Sequence, residues 1–85
     1  MTQLQEEFLT VLKSKKKFTA AEYATVYAQH RELSIKNEEK NGAGESQAVT
    51  MGEYYAVTVL TKFISNDNIM SRVLALYELN LKKAR

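Results

Sequence analysis

The segment Thr50-Met51-Gly52-Glu53-Tyr54-Tyr55-Ala56-Val57-Thr58-Val59-Leu60-Thr61-Lys62-Phe63-Ile64 decides the fold class. Val57, Thr58, Val59 and Thr61 are β-branched, and Tyr55, Val57, Val59 and Phe63 alternate as a half-buried strand would. Two features favour a helix. Thr50-x-x-Glu53 has the form of a capping box, which satisfies free N–H groups only at a helix start. No second strand pattern occurs elsewhere, so a strand over 54–64 would leave its N–H and C=O groups unpaired unless a second copy of the chain supplied the partner. The segment therefore reads as a helix over 51–64. Being apolar on most faces, it is expected to be the central, most buried element.

Downstream, Ser65-Asn66-Asp67-Asn68 is a turn offering several caps, and the spacing of Ile69, Met70, Val73, Leu74, Leu76, Tyr77 and Leu81 predicts a helix over 69–82. Upstream, Asn41-Gly42-Ala43-Gly44-Glu45-Ser46 holds two of the three glycines and reads as a flexible loop at 41–46. Thr19-Ala20-Ala21-Glu22 is a second capping box, with Phe18 and Tyr23 placed as a hydrophobic staple, and it opens a helix over 20–39. Tyr23, Val26, Tyr27 and His30 share one face of that helix, and its last turns, from Ile35 onward, read as solvent-facing. Leu4, Phe8, Val11 and Leu12 draw the apolar stripe of a first helix over 2–16, with glutamates at its start and lysines at its end to complement the helix dipole.

The expected fold is thus all-α, a compact four-helix bundle or orthogonal helical array, forming a single domain over residues 1–85. Its core is expected from Leu4, Phe8, Leu12, Tyr27, Leu60, Phe63, Ile64, Val73, Leu74 and Tyr77. The short connections at 17–19 and 65–68 predict that helices one and two, and helices three and four, pair as hairpins. The two capping boxes share the pattern T-x-x-E-Y at a separation of 31 residues. A motif this short recurs by chance, so it is weak support for an internal duplication.

Composition narrows the function classes. The chain has 85 residues, 45% apolar and 26% charged, as expected of a folded domain. With no cysteine and one histidine, disulfides, thiolate zinc sites, iron–sulfur clusters and multi-histidine metal sites are excluded. No phosphate-cradling glycine loop, nucleophile elbow or calcium loop occurs, so no cofactor, no small-molecule substrate and no enzymatic activity are expected. No apolar run is long enough to span a membrane, and the first residues lack a signal-peptide pattern, which makes cytoplasmic the expected location. The net charge of +2 does not dictate a polyanionic partner. Its distribution is uneven: residues 1–18 and 46–85 are each basic by two charges, and residues 19–45 are acidic by two.

Two sets of candidate residues stand out. Tyr23, Tyr54, Tyr55 and Tyr77, with Tyr27, are more tyrosines than so small a core readily satisfies, and surface tyrosine favours protein interfaces. The second set is basic: Lys13, Lys15, Lys16 and Lys17, joined by Arg72, Lys82, Lys83 and Arg85. Such a set would contact phosphates, although lysine runs at helix ends are commonly just solvated. Helices three and four resemble a helix-turn-helix in outline. The second of them offers only Asn68, Ser71, Arg72 and Glu78 as base-reading groups, a thin set. His30 reads as a boundary histidine, and Glu22, Glu38, Glu39 and Glu53 read as caps or solvated helix ends.

The resulting expectation is a small non-enzymatic binding protein, a regulator or inhibitor that acts by occupying the surface of a macromolecular partner. The alternative is a small DNA-binding regulator using the 13–17 run and the basic C-terminus. A chain of this kind also suits an accessory factor of a virus or mobile element, an association that no residue carries. Because helix four carries more apolar surface than so small a monomer needs, a homodimer is expected as well.

Overall fold

The computed structural model describes residues 2–83 and contains four α-helices: α1 (Gln3–Lys13), α2 (Ala20–Lys40), α3 (Glu45–Phe63) and α4 (Asp67–Lys83). The fold is all-α, and residues 54–64 are helical up to Phe63.

Three of the helices begin where a side chain takes up free backbone N–H groups. Thr19 and Glu22 form the capping box read from the sequence, with Glu22 N donating to Thr19 Oγ1 at 3.1 Å and Thr19 N to Glu22 Oε1 at 3.0 Å. The same reciprocal pair forms at α1 between Thr2 and Gln5. At α4, Asn66 Oδ1 accepts from the N–H groups of Asn68 and Ile69, so the helix begins at Asp67, two residues before the expected start.

The exception is α3. It starts at Glu45 from a Gly44 cap that makes no side-chain hydrogen bond, six residues before the expected position. Thr50 therefore lies inside the helix, where its hydroxyl donates to the Ser46 carbonyl. The expected Thr50–Glu53 capping box does not form, and the T-x-x-E-Y repeat has no structural counterpart. The loop shrinks from 41–46 to 41–44. Gly42 at φ 97° ends α2 in a left-handed turn, in which Gly42 N donates to Glu39 O and Ala43 N to Glu38 O. α1 also differs from expectation: it closes at Lys13 with Ser14 as its C-cap, leaving residues 15–17 outside the helix.

The early start of α3 follows from packing. Ala48, Gly52 and Ala56, spaced by four, are all buried and form a small-residue stripe along one face. That stripe lies against α2 so closely that a Cβ on Gly52 would sit 2.7 Å from the backbone N and 2.9 Å from the Cα of Ile35. Extending α3 back through Ala48 lengthens this contact. The close approach at Gly52 also buries Ile35, which the sequence reading places in solvent.

α2, not α3, is the hub: it packs against all three other helices. α4, although joined to α3 by only three residues, lies along α2 instead of pairing with α3 as a hairpin. Within the core, Phe8, Leu12, Ala24, Tyr27, Ala56, Val59, Leu60, Ile64 and Val73 are buried. Leu4, Phe63, Leu74 and Tyr77, expected among them, are half-buried. α4 packs mainly on α2, which leaves its far side uncovered, and it exposes Ile69, Leu79 and Leu81.

Candidate partner-binding surface

The four nominated tyrosines occupy three separate places. Tyr54 and Tyr55 lie on α3, edge to face at 5.8 Å between ring centroids, and Tyr54 is 66% exposed. They form a shallow patch with Gln5, Thr58 and Lys62. Gln5 is buried, and its Nε2 donates to the Tyr55 carbonyl at 3.2 Å, which ties α1 to the backbone beneath the patch.

Tyr77 is a structural residue. Its ring meets the buried Tyr27 edge-on at 5.0 Å, and the Arg31 guanidinium lies over it at 5.6 Å. Arg31 also reaches Glu53 at 3.5 Å, so one α2 side chain links α3 to α4, while its Nε has no hydrogen-bond partner among the described residues. Burial pushes the Tyr27 hydroxyl up to about 12, with the Glu53 carboxylate adding to the effect, and burial raises Tyr77 as well.

Tyr23 stacks on Phe18 at 5.1 Å, the staple expected from the sequence. The two rings line a groove of about 380 Å³ between the start of α2 and the α3–α4 turn, with Ala20, Phe63, Ile64 and Ile69 completing its apolar surface. Lys17, Ser65, Asn66 and Arg72 supply its polar border. A second shallow depression, on the other side of Phe18, runs along α2 over Ala21, Thr25, Val26 and Gln29.

The basic set is divided in a similar way. Lys13 ends α1. Lys15 pairs with Glu22 and stands over the Phe18 ring, so it serves the start of α2. Together with the Thr19 N–H, this ammonium holds the Glu22 carboxyl down at about 2. Lys16 is exposed, and Lys17 meets Arg72, from a distant part of the chain, at the groove. Lys82 and Lys83 lie in the last turn of α4, and Arg85 falls outside the described residues.

The structure thus brings one residue of the tyrosine set, Tyr23, together with two of the basic set, Lys17 and Arg72. Phe18, Phe63, Ile64 and Ile69 were not nominated from the sequence as site residues. Phe18 was legible as a staple, but nothing local signalled that residues 63–69 would close a groove against it. His30 stacks on Phe8 at 4.5 Å and has its Nδ1 3.1 Å from the Val26 carbonyl oxygen, which is the satisfied boundary position expected. Among the described residues, no three His, Cys, Asp or Glu side chains are placed to hold a metal ion, and no helix is long and apolar enough to cross a membrane. The chain matches no known family model, no curated protein and no solved structure.

Proposed function

We propose that this chain is a non-enzymatic binding protein, a regulator or inhibitor that acts by occupying the surface of a macromolecular partner. The observation that carries the proposal is the exposure of large apolar side chains on the outer helices, with Tyr54 at 66% the most exposed of them. Tyr54 and Tyr55, side by side on one shallow patch, are of the residue type enriched at protein interfaces. The exposed Leu79 and Leu81 of α4 support a homodimer through the end of that helix as part of the same reading.

Affinity capture from nuclease-treated cell extract, with wild type and Tyr54→Ala compared, tests the proposal. A protein retained by wild type and lost at least tenfold with Tyr54→Ala, at unchanged helicity, is the expected result. Equal retention of every protein by both baits overturns the role given to Tyr54.

Nucleic-acid binding is a second reading, favoured by the convergence of Lys17 and Arg72 and by the exposure of Lys16 beside them. It requires binding of duplex DNA whose log–log salt slope falls by up to about 3 in a Lys15→Gln, Lys16→Gln, Lys17→Gln variant.

A further inference from the structure

We infer that the groove between the start of α2 and the α3–α4 turn docks an acidic protein segment by one bulky apolar side chain, an assignment that rests on the binding-protein reading above. At about 380 Å³ the groove lies at the small end of ligand-site volumes, enough for an anchoring side chain or two. Its surface is made by Phe18, Ala20, Tyr23, Phe63, Ile64 and Ile69. Ile69 stands 44% exposed at its lip, at the first turn of α4, where an incoming apolar group would cover it.

Charge selects the occupant. Lys17 and Arg72 border the groove, no carboxylate lines it, and neither cation forms an ion pair among the described residues. The nearby Glu22 is engaged by Lys15 and the Thr19 N–H, and Asp67 lies outside the groove. Two free cations flanking an apolar cleft complement a segment in which carboxylates flank a leucine, isoleucine, phenylalanine or tryptophan. The apolar contact supplies affinity and the rim charges supply orientation and rate of encounter. Of the three rings in the lining, Phe18 and Tyr23 stack on each other, and the aliphatic Ile64 and Ile69 beside Phe63 suit an apolar side chain, while a poly(dT) titration tests a stacked base against it.

The test uses the full chain as bait for a phage-displayed library of random 12-residue peptides. The enriched peptides are synthesised and titrated by fluorescence anisotropy, with single-stranded poly(dT) titrated in parallel. The expected result is enrichment of peptides carrying Asp or Glu on both sides of a bulky apolar residue. Their affinity should fall about tenfold in a Lys17→Glu, Arg72→Glu double variant and fall with rising salt, and it should be unchanged in Lys36→Gln, at an exposed cation near the far end of α2. Ile69→Asp should weaken binding about tenfold as well. Should that variant lose its circular dichroism, the double variant, which alters only exposed side chains, carries the test alone.

Failure to enrich any peptide, enrichment of neutral or basic peptides, or equal affinity for wild type and the double variant overturns the inference. Peptides that depend on Tyr54 and not on Lys17 and Arg72 overturn it while leaving the binding-protein reading intact. So does a self-association abolished by the double variant, which would make a second copy the occupant. Poly(dT) binding lost in the double variant, with no peptide bound, overturns it in favour of nucleic acid. Absence of both an enriched peptide and a Tyr54-dependent partner removes the broader reading too.

Discussion

Replacing Gly52 by alanine sets two effects of opposite sign against each other. In an isolated helix the change is favourable by about 1 kcal/mol, because alanine loses less backbone freedom on folding. In this protein the added methyl would lie 2.5 Å from Cγ1, 2.7 Å from the backbone N and 2.9 Å from the Cα of Ile35. The Cγ1 contact is with a side chain that has other rotamers. The other two are with the backbone of α2 and disappear only if α2 and α3 move apart along the fold's most extensive interface. Overpacking of this kind costs roughly 1–3 kcal/mol and sometimes more, and two backbone contacts below 3.0 Å place it at the upper end. The net expectation is destabilisation by about 2 kcal/mol, a melting temperature lower by about 8–16 °C in a domain of this size. Thermal and urea unfolding followed by circular dichroism at 222 nm measure it. Gly44→Ala, where the new methyl meets nothing, is the control and should change stability by less than about 1 kcal/mol. If Gly52→Ala melts at or above the wild-type temperature, propensity has won, and the close crossing of α2 and α3 is not what holds them.

Thr19→Ala and Thr2→Ala should each lose about 1 kcal/mol in urea unfolding, whereas Thr50→Ala, inside α3, should be neutral or slightly stabilising; a cap-sized loss at Thr50 would refute the observed helix start. Because Glu22 is held at about 2 when folded, against an ordinary 4.5, its contribution is complete above pH 4.5 and is lost as the pH falls from there toward 2. Melting temperatures across pH 2–6 should thus fall less steeply for Glu22→Gln than for wild type, and parallel curves would show that Lys15 and Thr19 do not act on that carboxylate. Sedimentation at tens of micromolar should report about 19 kDa, twice the chain mass of 9.7 kDa, reverting to monomer in Leu79→Glu, Leu81→Glu. A 10 kDa wild-type species would leave the exposed face of α4 to a different partner.

What the sequence determined by itself was local. Thr19 with Glu22 and the stripe of Leu4, Phe8 and Leu12 act over three or four residues, the range within which a helix makes its own hydrogen bonds, and the existence of α1 and α2 was legible from them. The nearly apolar 54–64 stretch was legible as helix by elimination, since a lone strand has nowhere to place its N–H groups. The sequence also showed the surplus of tyrosine and of apolar surface on α4, because the amount of apolar surface is a property of composition. Its placement is not. Whether α3 began at Thr50 or at Gly44 depended on Ala48 and Gly52 finding α2, since an uncapped start is tolerated where a close helix crossing compensates for it. Ile35 was buried for the same reason, by a glycine 17 positions along the chain. The hub position of α2 and the groove joining Lys17 and Tyr23 to Ile69 and Arg72 likewise follow from which faces meet. Local patterning names the apolar face of a helix but not its partner; only the tertiary structure selects that, by close packing between surfaces distant in the chain.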